Sequence, residues 1–196
     1  MRGLENVRYL ALGDSYTIGT GASDDDHAWP SIIAKRLGAK LTNPAVNGYT
    51  TLDLIRNELP LFSRLKPDLV TVLIGVNDLV QGRSLDAYRG SLRTIYVAVE
   101  SARVVAVSIP TWSYVPAAAD FGGAKHVEKL TGEFNDVAQE EATKRGFAWV
   151  DIGPVSTSKI GSPGWIASDQ LHPGDAQYAA WAEVIWPAVE ATARRV

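Results

Sequence analysis

The chain has 196 residues, 46% of them hydrophobic and 21% charged, with a formal net charge of -3 and no cysteine. Such a composition describes one globular domain over residues 1–196, able to bury roughly 70% of its unfolded surface without a metal or a disulfide. It excludes thiolate metal sites and cysteine nucleophiles, and the absence of any basic cluster leaves no electrostatic footprint for nucleic acid.

Residues 1–12 lack the charged start and long apolar stretch of a leader, so Val7 to Leu12 reads as a first strand. A cytoplasmic location is expected unless a leader has been removed. No run approaches the ~20 apolar residues of a membrane span. A helix is expected from near Pro30 to Gly38, then a weaker strand over Leu41 to Val46. Thr50 with Asp53 forms a capping-box pair that opens a helix, and Pro60 is expected to stop it. Leu69 to Ile74, Val104 to Ile109 and Phe147 to Ile152 are almost continuously apolar, as strands covered on both faces are.

Between the strands, Leu85, Tyr88, Leu92, Ile95, Tyr96 and Val99 recur at three and four residue steps and give one apolar helix face. Val127, Leu130, Phe134 and Val137 repeat the pattern. A last helix is expected after His172, with Pro173 near its first turn and Tyr178, Trp181, Ile185 and Val189 as its buried stripe. Strands alternating with helices predict a three-layer α/β/α domain around five parallel strands.

In such sheets a ligand sits beyond the carboxyl ends of the strands. Gly13-Asp14-Ser15 follows the first strand, Asn47-Gly48 the second, Gly75-Val76-Asn77-Asp78 the third, and Asp169-Gln170-Leu171-His172 the fifth. A serine is inert at its free pKa and needs an imidazole to take its proton and a carboxylate to hold that ring in the right tautomer. Of the three histidines, only His172 has a carboxylate so placed beside a strand end. Attack on an ester carbonyl also creates an oxyanion, which needs donors already in position. The backbone N–H groups of Ser15 and Gly48 and the side-chain amide of Asn77 can supply them.

These blocks resemble the SGNH hydrolases, also called GDSL esterases and lipases. Ser15, Gly48, Asn77 and His172 match the four residues of that name, within Gly13 to Gly19, Asn47-Gly48, a complete Gly-x-Asn-Asp at 75–78 and a complete Asp-x-x-His-Pro at 169–173. The order and spacing fit almost the whole chain. Tyr16 replaces the family's leucine and is expected to alter pocket shape, not chemistry. The resemblance implies a flavodoxin-like strand order 2-1-3-4-5. It also implies an acyl-enzyme on Ser15, proton relay by His172, orientation of that ring by Asp169, and no cofactor or metal.

The other polar features read as ordinary. His27 follows the acidic run Asp24-Asp25-Asp26 and His126 starts an amphipathic helix, so both are expected in solvent. The triplet lacks the glycine turn and distal glutamate of a calcium loop. Gly19-Thr20-Gly21 fails as a dinucleotide fingerprint because Asp24 occupies the third glycine position. Two long segments, Pro110 to Gly123 and Gly153 to Ser168, carry Trp112, Tyr114, Phe121 and Trp165. With Tyr16, the residues Trp112, Tyr114 and Trp165 are candidate walls for the substrate.

A serine esterase for short-chain acyl esters is therefore expected, with a small-molecule ester as its partner. Carbohydrate acetylesterase and lysophospholipase activities of the same fold stay open. So do a metal-dependent phosphoesterase built on Asp14, Asn77, Asp78 and His172, and a non-catalytic module that holds a lipid or glycan. Oligomeric state is not written in the sequence.

Overall fold

A computed structural model describes residues 7–193; the part of the leader reading that concerns residues 1–6 lies outside them. Five parallel strands, β1 (Arg8–Gly13), β2 (Lys40–Thr42), β3 (Leu69–Leu73), β4 (Arg103–Val107) and β5 (Ala148–Val150), form one sheet in the order 2-1-3-4-5. β1 and β3 are aligned with Tyr9 beside Leu69 and Gly13 beside Leu73, which brings the ends of the first and third strands level. β3 is buried at every position and β1 at all but its first, so their near-continuous apolar sequences follow from cover on both faces.

The helices are α1 (Ser15–Ile18), α2 (Trp29–Leu37), α3 (Thr51–Asn57), α4 (Leu59–Leu65), α5 (Val76–Val80), α6 (Leu85–Val99), α7 (Ala124–Thr143), α8 (Gly153–Ser156) and α9 (Asp175–Ala193). α2 packs on α9 on one side of the sheet, while α3, α6 and α7 pack side by side on the other. Tyr178, Trp181, Ile185 and Val189 on α9 are fully buried, as their spacing requires.

Two expectations need correction. β2 ends at Thr42 and does not reach Val46, because Asn43 turns its amide to the Thr17 carbonyl at 2.8 Å and Pro44 has no N–H for a ladder. Pro60 does not stop the helix opened by Thr50. That helix closes at Asn57, and Pro60 lies in the first turn of α4, where a missing N–H costs nothing. Pro173 does stand close to the first turn of α9, two residues before it, and pairs with Ile166 across a short antiparallel bridge. The two long segments also have internal structure: a 3-10 helix at Pro116–Phe121 in one and α8 in the other.

α6 and α7 are joined through Glu141, whose side chain is 1% exposed and accepts from Arg89, Arg93 and Arg145 at 3.0–3.1 Å. Burial alone would raise this carboxyl, but the three guanidiniums outweigh it and hold it down at about 2. A carboxyl lowered on folding supplies stability above its unfolded value and loses it as pH falls. Glu141→Ala is therefore expected to cost about 3 kcal/mol at neutral pH, since it removes the buried carboxylate that Arg89, Arg93 and Arg145 share at a helix interface. Urea titrations at neutral pH and in acid check this, with the gap between variant and parent narrowing as pH falls towards 2.

Candidate active site

Ser15 opens α1 at the end of β1, and several contacts fix that turn. Asp14 caps the helix by accepting from the Tyr16 N–H at 3.0 Å. Gly13 is required there, because a Cβ would run into the Leu73 carbonyl and the Thr17 side chain. The Trp29 indole N–H donates to the Tyr16 carbonyl at 2.9 Å. From the other end of the chain, the Tyr178 hydroxyl donates to the Thr20 carbonyl at 2.8 Å.

His172 is held by its own loop. Asp169 Oδ1 accepts the N–H groups of Leu171 and His172, both at 2.9 Å, and Oδ2 pairs with His172 Nδ1 at 2.6 Å. Burial would raise the Asp169 carboxyl, but the imidazole and the two N–H groups prevail and hold it below the usual carboxylate range. An Nδ1–H bonded to a carboxylate leaves Nε2 as the basic nitrogen. Gln170 takes a left-handed conformation, φ 59°, to close this loop. The Ala167 N–H seals it by donating to the His172 carbonyl at 2.8 Å.

Ser15, Asn77 and His172 line one cavity of about 80 Å³, walled by Tyr16, Val76, Val80, Trp112, Phe121 and Leu171. The Ser15 hydroxyl makes no hydrogen bond to a described residue. Asn77 donates one amide hydrogen to the Tyr49 carbonyl at 2.9 Å, which orients the amide and leaves its second hydrogen for a ligand. Asp78 is buried beneath it and accepts from the Thr51 N–H at 2.8 Å, the Thr51 hydroxyl at 2.6 Å and Arg83 at 3.1 Å. It thus pins the start of α5 to the start of α3.

Gly48 stands apart. Its φ of 81° demands glycine, but it lies in an exposed turn and is not among the cavity-lining residues. That turn reaches the site through the Tyr49 carbonyl on Asn77, and is tied to α1 by Asn47, which accepts from the Thr20 hydroxyl at 2.5 Å.

Among the candidate walls, Tyr16 and Trp112 border the cavity. Tyr16 also meets the His172 ring edge-on at 6.1 Å and Trp181 at 5.7 Å, so the residue in place of the family's leucine braces the imidazole. Tyr114 lines an adjoining cleft with Tyr16 and His172, and its hydroxyl accepts from Gln177 at 2.9 Å. Trp165 is a correction: it is 1% exposed and its indole donates to the Ser156 carbonyl at 2.9 Å, so it fixes α8 instead of facing a ligand. Val80 escaped the sequence reading, although its place three residues after Asn77 on a helix puts both on one face. His27 is exposed but paired with Asp24 at 2.7 Å.

Among the described residues, no group of three or more His, Asp or Glu side chains gathers in a metal-holding arrangement. No helix there is long and apolar enough to cross a membrane.

A model of the GDSL-like lipase/acylhydrolase family matches residues 11–180. The chain belongs to that family. As a GDSL protein it is a carboxylic ester hydrolase, and its curated relatives include Esterase TesA of Pseudomonas aeruginosa, 23% identical over 92% of this chain and 87% of that protein. A crystal structure of TesA superposes with a TM-score of 0.77 at 22% identity, covering 94% of this chain and 99% of that one. A catalytic mutant of an acetylxylan esterase from Geobacillus stearothermophilus gives 0.75 at 18% identity, covering 93% and 94%. Both share the GDSL fold.

Proposed function

We propose that Ser15 is the nucleophile of a serine esterase acting on short-chain acyl esters, with His172 as base and Asp169 as its orienting carboxylate. The reading is carried by the 2.6 Å bond between Asp169 and His172 in a ring of residues where Ser15 and Asn77 share the same cavity. Ser15 Oγ attacks the acyl carbonyl and passes its proton to His172 Nε2. The proton then goes to the leaving alcohol, and water attacks the acyl-enzyme by the same route. The Asn77 amide and the N–H groups of Ser15 and Gly48 receive the oxyanion. Gly48 belongs to the exposed turn that reaches the site through the Tyr49 carbonyl on Asn77.

Asn77→Ala removes one donor and is expected to lower kcat roughly 100- to 1000-fold with KM little changed. Steady-state kinetics on p-nitrophenyl acetate measures this. A cavity of about 80 Å³ is far below the roughly 300–1,000 Å³ of pockets for drug-sized ligands, which suits a short acyl group. In a series of p-nitrophenyl esters, kcat/KM is expected to peak at the shortest chains. A maximum at long chains would contradict the acyl preference while leaving the nucleophile untouched.

Carbohydrate acetyl esters form a second reading, favoured by a groove of about 450 Å³ that shares Trp112 with the cavity. Trp149, Asn135, Asp136, Gln139 and Asp151 line it. An aromatic face beside amides and carboxylates is chemistry that binds sugar rings. In the same screen, preference for acetylated xylo-oligosaccharides over simple acetates would select this reading.

A further inference from the structure

Asp14 and Glu58 are carboxyls with no exposed surface, and the acyl transfer above uses neither. Glu58 sits at the junction of α3 and α4, where the break before Pro60 turns its side chain under the end of β1. Its Oε2 accepts from the Gly13 N–H at 3.0 Å, while Asp14 Oδ1 accepts from the Tyr16 N–H at 3.0 Å. The two carboxyls therefore grip the turn on either side of Ser15. The remaining oxygens, Asp14 Oδ2 and Glu58 Oε1, are buried and have no partner among the described residues.

Two ionised carboxylates cannot be stable in this place: each would carry a buried, unpaired acceptor, and each would repel the other. The neighbouring groups offer no relief. Asp78 also faces Asp14 and is bonded to Arg83, while Tyr16, Tyr88 and Tyr178 are phenols that burial keeps neutral. One proton removes the difficulty, since a neutral carboxyl can donate where a carboxylate can only accept.

We propose that Glu58, buried without a cation beside it, is held protonated and neutral under the end of β1, and that it is thereby a positioning residue for Ser15. Burial, with the Asp14 charge adding to it, pushes Glu58 up to about 8, and burial likewise pushes Asp14 up to about 7. Loss of the Glu58 proton, with Asp14 also ionised, puts two buried negative charges under the turn that carries Ser15. Turnover is then opposed and the Gly13 to Tyr16 turn is loosened. Stability follows the same sign: a carboxyl raised on folding contributes fully below its unfolded value, and that contribution is lost as pH rises through about 7 to 8.

The proposal rests on Ser15 as nucleophile for its kinetic consequence alone, so the test has two arms. Carbon-13 NMR of carboxyl-labelled glutamate in the full wild-type chain, assigned through the backbone, should show Glu58 titrating on the alkaline side of neutrality. Titration in the ordinary glutamate range, about pH 4 to 5, overturns the proposal whatever the enzyme does. In the kinetic arm, kcat of the parent should fall through the pH range in which Glu58 titrates. Glu58→Leu should lower kcat about tenfold or more with KM little changed, because the turn loses its anchor. Glu58→Gln, whose amide oxygen can still accept from the Gly13 N–H and which carries no titratable charge, should restore most of that loss and flatten the alkaline limb. An unchanged limb in folded Glu58→Gln overturns the proposal. Absence of ester hydrolysis at every pH, with Glu58 still titrating high, would instead strike the nucleophile assignment and leave the neutral Glu58 standing.

Discussion

Ser15→Ala is expected to abolish ester hydrolysis, lowering kcat by about 10⁶-fold, with the fold and the thermal midpoint close to those of the parent. The hydroxyl makes no hydrogen bond among the described residues, and the turn around it is held by Gly13, Asp14, Tyr16 and Trp29, so the substitution removes chemistry and little else. Labelling by an organophosphonate provides a second readout, since the probe forms a covalent bond to an activated serine. Parent protein should gain one adduct by intact mass and the variant none. Undiminished turnover in Ser15→Ala would discard the mechanism.

Asp169→Asn is expected to cost about 10⁴-fold in kcat while preserving the loop. The amide oxygen can still accept from the Leu171 and His172 N–H groups, as Oδ1 does at 2.9 Å. At the other position an NH₂ replaces Oδ2, so it must donate to His172 Nδ1 where the carboxylate accepted at 2.6 Å. The ring then carries its proton on Nε2, the nitrogen required as base. The double variant with Ser15→Ala should be no worse than Ser15→Ala alone, because groups that act as a unit are not additive. Loss of a full further factor in the double variant would argue that Asp169 works apart from Ser15.

β1, β3 and β4 were legible because both faces of a central strand are buried, which writes a continuous apolar run into the sequence. β2 was overextended because an edge strand needs little apolar signal, and the pairing limit set by Pro44 is a backbone effect. The blocks around Ser15, Asn77 and His172 could be read from local motifs, since each lies in a short turn at a strand end. Trp165 could not: a loop tryptophan looks the same whether its indole finds a carbonyl or a ligand. Glu58 was wholly hidden, as a glutamate in a helical stretch reads as a solvated face and only the tertiary path of α3 into α4 buries it.

The Tyr178 to Thr20 bond spans 158 positions and lies beside the turn that carries Ser15. Closing that turn therefore depends on α9 docking beside it. Refolding followed by regain of hydrolysis would clock that closing event, lagging any optical signal from the sheet.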